Sequence, residues 1–140
     1  MDLQFFMDMV PPTATAQEKQ VKVVNGRPMF YKKQQAKAAE TVLIRHLKQY
    51  APDKPFEGPL KLRTVWIFPK GKSHKDREWR TTKPDTDNLQ KGLKDCMTKT
   101  GFWVDDSQVV WEEVAKVWGD APAGIVIQIE KLEKYMEVDG

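Results

Sequence analysis

Two helical stripes interleaved with runs of strand character leave this chain few possible folds. Over residues 32 to 50, Ala36, Ala39, Leu43, Leu47 and Tyr50 recur at helical spacing, and Pro52 and Pro55 stop the pattern. A second stripe runs from about residue 87 to 100. It places Leu89, Leu93, Cys96 and Met97 on one face, with Gly101 just beyond the last turn. Between the stripes, residues 60 to 68 are rich in β-branched and aromatic side chains, open after Gly58-Pro59 and end at Pro69. Strands are also expected over 3 to 10, 108 to 118 and 124 to 132; in the last, Ile125, Ile127 and Ile129 alternate with Val126 opposite. Val21, Val23 and Val24 lead into Asn25-Gly26, and Met29, Phe30 and Tyr31 return, which reads as a hairpin over 20 to 31. The predicted class is therefore α+β, a single mixed β-sheet with two main helices packed on it. No repeat, low-complexity tract or linker divides residues 1–140, so one domain is expected.

Composition narrows the setting. Hydrophobic residues make up 40% and charged residues 31%, which suits a soluble globular chain and argues against disorder. No apolar run approaches the ~20 residues of a membrane span, so no membrane partner is expected. The opening, Met1 to Asp8, carries two acids and no base, unlike a signal peptide. Cys96 is the single cysteine, so no intrachain disulfide can form, and a cytoplasmic location is expected. His46 and His74 are isolated, with no zinc-ligand spacing. The formal net charge of +3 says little about partners by itself; its distribution says more. Residues 70 to 84 carry six basic residues, Lys70, Lys72, Lys75, Arg77, Arg80 and Lys83, against two acids. A loop of this kind suits phosphate-backbone contact. It also suits a solvated surface. Trp79 within it could stack on an unpaired base. Anchoring the loop on the sheet is at least as good a reading.

Asp85, Asp87, Lys91 and Asp106 form the chemical constellation. Asp85 and Asp87 stand where the basic loop becomes the second helix. Residues i and i+2 of an extended entry point to the same side, so both carboxylates can face one hard cation. Lys91 lies one helical turn beyond Asp87, where an ammonium could neutralise charge on a phosphate. In Asp105-Asp106, alternation along a strand would let one of the two acids reach the same centre. Ordinary structural roles compete at each position. Asp87 with Gln90 would make a capping box, Asp87 with Lys91 an i,i+4 ion pair, and Asp105-Asp106-Ser107 a turn. Taken singly, each structural role is the stronger reading.

Two linked strings alter that balance. Lys83-Pro84-Asp85-Thr86-Asp87-Asn88-Leu89-Gln90-Lys91, followed by Gly101-Phe102-Trp103-Val104-Asp105-Asp106-Ser107-Gln108-Val109-Val110, resembles the RusA family of Holliday-junction resolvases, or crossover junction endodeoxyribonucleases. The likeness covers roughly residues 58 to 132. Before that, Pro11-Pro12 keeps the family's prolines, and the Asn that commonly follows them is missing. The resemblance implies a RusA-like fold and a structure-selective nuclease that hydrolyses phosphodiesters in branched DNA. It implies Mg²⁺ held by Asp85, Asp87 and Asp106, with Mn²⁺ as an expected substitute, and Lys91 as the essential lysine. It also implies a homodimer, an origin in phages or prophages, and a possible DNA contact at Lys116. A two-fold dimer would offer two sites to a pseudo-two-fold junction that needs two cuts. A nuclease selective for flaps, forks or duplex remains open at this point, as does a non-catalytic DNA-structure binder.

Overall fold

A computed structural model describes residues 2–13 and 27–138, apart from the side chains of residues 27–33. Its elements run β1 (Leu3–Asp8), α1 (Arg27–Lys48), β2 (Leu60–Pro69), α2 (Thr86–Lys99), a 3₁₀ turn (Asp106–Gln108), β3 (Val109–Gly119) and β4 (Gly124–Lys131). The strands form one sheet in the order β1-β4-β2-β3. β4 pairs antiparallel with both β1 and β2, whereas β2 pairs parallel with β3. A parallel pair needs a long crossover, and α2 lies within the crossover from β2 to β3. The fold is thus α+β with a mixed sheet, as the sequence predicts.

Period-two alternation sets which face is covered. Leu60, Leu62, Thr64, Trp66 and Phe68 of β2 are buried, and so are Phe5 and Met7 of β1 and Ile125, Ile127 and Ile129 of β4. They share a core with Leu43 and Leu47 of α1 and Leu89, Leu93, Cys96 and Met97 of α2. Both helices therefore cover one face. Among the described residues no helix covers the other face, whose side chains bind one another laterally: Arg63 donates to Gln128 Oε1 at 3.1 Å, and Lys61 pairs with Glu113 at 3.1 Å. On that face Lys61 also lies 4.1 Å from the Trp111 ring centroid.

The expected hairpin over 20 to 31 is corrected in its returning arm. Met29, Phe30 and Tyr31 lie in α1, which begins at Arg27. Pro28 explains this, because proline fits the first turn of a helix, where its missing N–H has no partner to lose. The outgoing arm, Val21 to Val24 with Asn25-Gly26, lies outside the described residues. β1 stops at Asp8, short of residue 10. Among the described residues, no helix is long and apolar enough to cross a membrane.

Candidate active site

α2 begins directly under the acidic string. Asp85 is its N-cap in extended conformation, and Asp85 O accepts the first helical bond from Leu89 N at 3.1 Å. Its carboxylate makes no capping hydrogen bond. Asp87 occupies the first turn, so both acids stand at the N-terminal end of α2. The capping box considered for Asp87 and Gln90 does not form. Gln90 turns inward instead: it is buried, and its Oε1 accepts from Thr64 Oγ1 at 2.9 Å, which itself accepts from Trp66 Nε1 at 3.0 Å. This network rivets the start of α2 to β2. Gln90 Nε2 has no partner among the described residues. Asp87 and Lys91 are both exposed, and among the described residues neither is in an ion pair. Neither role that competed for Asp87 and Lys91, the capping box or the i,i+4 ion pair, is thus present among the described residues.

The paired acids after α2 divide their duties by a different route from strand alternation. Neither lies on a strand: Asp105 caps the 3₁₀ turn and Asp106 is its first residue. The Asp105 carboxylate accepts from Ser107 N at 2.9 Å, and that bond is the main reason its pKa is lowered. Gln108 closes a capping box: its Oε1 accepts from Asp105 N at 3.2 Å and also from Val104 N at 3.0 Å, and its Nε2 donates to Phe56 O at 2.9 Å and Gly58 O at 3.1 Å. Asp106 is half-buried and in no ion pair among the described residues.

The three acids do not converge within one chain. Asp85 and Asp87 precede or open α2, and Asp106 follows it. α2 has 14 residues, so its ends stand about 21 Å apart. β3 repeats the separation, because Lys116, far along that strand, is the residue that reaches Pro84 O. Accordingly, among the described residues no three His, Cys, Asp or Glu side chains gather closely enough to hold a metal ion. The donor type nevertheless suits a hard cation. Mg²⁺ takes one or two carboxylates and completes its shell with water and phosphate oxygens.

The basic loop is ordered against β3. Arg77 N donates to Trp118 O at 2.8 Å, Trp118 N to Glu78 O at 2.8 Å, and Arg80 N to Lys116 O at 3.1 Å. The His74 ring stacks on Trp118 with centroids 4.0 Å apart, and its Nδ1 lies 2.6 Å from Glu78 Oε2. Hydrogen bonding to His74 is the main cause of the lowered Glu78 pKa. Trp79 is bridged to Val117, whose side belongs to the open sheet face by register with Ile67. Trp79 is 68% exposed, so its ring does not anchor the loop on the sheet. Lys72, Lys75, Arg77 and Lys83 are exposed. Lys70 pairs with Asp120 at 3.4 Å. Arg80 and Lys116 are turned inward. Pairing of 78–80 with β3 sets Arg80 beside Lys116 and Trp79 beside Val117.

The family model described as Endodeoxyribonuclease RusA matches residues 9–130. The crossover junction endodeoxyribonuclease RusA of Lactococcus phage r1t is 35% identical over 133 residues, covering 94% of this chain and 98% of that protein. Proteins of the same name from Escherichia coli K12 and Enterobacteria phage 82 are each 58% identical over 33 residues, a local match covering 24% of this chain and 28% of each relative. The chain belongs to the RusA family of endodeoxyribonucleases, enzymes that hydrolyse DNA.

Proposed function

We propose that this nuclease resolves four-way DNA junctions as a Mg²⁺-dependent homodimer, cutting two strands with two equivalent sites. The observation that carries this reading is that the Asp85 carboxylate makes no capping hydrogen bond and that Asp87 and Lys91 form neither the capping box nor the ion pair their positions offered. The full-length relative from the Lactococcus phage is named for crossover junctions, which supports the substrate.

Asp85 and Asp87 would hold the cation at the start of α2. Bound there, Mg²⁺ supplies Lewis acidity toward the phosphate and its attacking water. Lys91 stands one turn further along α2 and places an ammonium where charge grows on the phosphate in the transition state. Asp106 is too far along the same chain to join them. A second copy related by two-fold symmetry can bring its Asp106 to the first copy's Asp85 and Asp87, and an isologous interface does so twice. The dimer then completes two sites for two cuts.

The test is cleavage of a synthetic mobile four-way junction with Mg²⁺, beside linear duplex and flap substrates. Paired incisions in the junction, with little action on the controls, are expected. Equal cutting of all three would favour a nuclease of broader selectivity, because hydrolysis itself does not encode substrate shape. Mn²⁺ should substitute, and chelation should stop the reaction.

A further inference from the structure

We propose that Arg80 and Lys116 are positioning residues that fix the backbone leading into Asp85 and Asp87, rather than contacts for DNA. This rests on the assignment of those acids to the site. Lys116 Nζ donates to Thr82 O at 2.5 Å and to Pro84 O at 2.7 Å. Arg80 donates to the carbonyl between them, Lys83 O, through Nε at 3.1 Å and Nη2 at 2.6 Å. Three consecutive carbonyls immediately before Asp85 are therefore held by two cations.

Both cations are themselves held. Lys116 lies on the helix-covered side of β3, in register with buried Trp66 of β2. Arg80 packs its guanidinium on two rings, 4.2 Å from the Phe68 centroid and 4.3 Å from that of Trp118. Burial lowers the pKa of each, as expected for cations withdrawn from water. Each repels the other, and Asp85 favours the charge on Lys116. Charge-assisted bonds to carbonyls are stronger than neutral ones, and a planar fork fixes direction as well as distance. Residues 82 to 84 belong to no helix or strand. The clamp supplies the rigidity that regular structure would otherwise give. Two of the three ammonium protons of Lys116 and the inner edge of Arg80 are thereby occupied, which leaves little for a phosphate.

The experiment compares Arg80→Lys and Lys116→Met with wild type and with Lys72→Ala as an exposed-cation control. Arg80→Lys keeps the charge and loses the fork, so a DNA contact should survive it and a positioning role should not. Three quantities are read: hydrogen exchange at the Leu89 amide in metal-free protein, single-turnover cleavage with its Mg²⁺ midpoint, and junction affinity against salt. Positioning predicts faster Leu89 exchange and a raised Mg²⁺ midpoint. It also predicts a cleavage rate down by about a hundredfold, the scale expected when reacting groups shift by an ångström. Junction affinity and its salt slope should stay as in wild type. Lys72→Ala should do the reverse, lowering the slope by about one. If Lys116→Met behaves like Lys72→Ala while Arg80→Lys matches wild type in every readout, both residues are DNA contacts and the proposal fails. A loss of thermal stability with exchange at Leu89, Mg²⁺ midpoint and rate per folded molecule unchanged would also overturn it. Should wild type cut no junction, the function assigned above fails, and the clamp is still judged on Leu89 exchange and on Mn²⁺ binding.

Discussion

At the scale of single residues, the proposed site draws on acids and a lysine that form no ion pair among the described residues. Asp105 and Asp106 are neighbours with the same chemistry, yet Asp105 is tied to Ser107 N and Asp106 is not. Asp105→Asn should therefore be mild, since an amide oxygen caps almost as well as a carboxylate. Asp106→Asn should abolish cleavage while junction binding persists, as should Asp85→Asn and Asp87→Asn. Equal inactivation by Asp105→Asn in a folded protein would remove the distinction. Lys91 is the sharper case. An i,i+4 pair with Asp87 would add only about 0.3 kcal/mol to the helix, and the pair is not formed among the described residues. Lys91→Ala should leave folding and junction affinity unchanged and slow single-turnover cleavage by about 10² to 10³, the scale of losing one transition-state charge contact. Lys91→Arg should recover part of the rate, because a broad fork replaces a compact ammonium poorly at close range. A rate for Lys91→Ala within a few-fold of wild type would exclude the catalytic role. The preference for Asp106 over Asp105 came from the family string. Strand alternation was the wrong reason for it, because both acids sit in a capped turn.

At the scale of elements, the sequence was most informative where one physical signal acted alone. The stripe of α2, the β-branched and aromatic run of β2 and the alternation of β4 had no competitor, and their edges fall within a residue or two of expectation. Residues 29 to 31 carried two signals. Their aromatic and apolar character suggested a strand, and Pro28 in the first turn suits the helix that forms. The end of α2 was legible through Gly101. Its φ of 88° is left-handed, Phe102 N reaches Met97 O at 3.1 Å and Gly101 N reaches Thr98 O at 3.2 Å, which is a Schellman closure. Phe102, the residue after the glycine, is fully buried beside Trp103. A Cβ at Gly101 meets no atom within 4 Å, so only the backbone conformation opposes a side chain there. Gly101→Ala should thus lower unfolding stability by about 1 kcal/mol, seen as a lower urea midpoint with an unchanged slope. An unaltered midpoint would mean that the turn relaxes freely, and Asp106 would then lack a rigid mount.

At the scale of the whole molecule, the length of α2 decides more than any local motif. The strings around Asp85 and Asp106 are 21 residues apart by their numbers, and sequence reading alone let them meet. The chain between them is used up by a helix that carries one string away from the other by about 21 Å. A dimer in which each site takes Asp85 and Asp87 from one copy and Asp106 from the other has a consequence that a single-chain site lacks. Asp87→Asn and Asp106→Asn are each expected to be inactive alone. Mixed after unfolding and joint refolding, they form dimers in which one site carries both changes and the other carries neither. Equal mixing makes half of the dimers mixed, each with one intact site of two, so about a quarter of the wild-type sites return. Those dimers should nick one strand of a junction and rarely cut both. The measurement is single-strand incision by the mixture against each parent, with light scattering to establish the dimer. No recovery from a mixture that light scattering shows to be dimeric would place all the functional acids of each site in one copy, or leave Asp106 outside the site. A monomer that cuts junctions at the full rate would overturn the shared arrangement altogether.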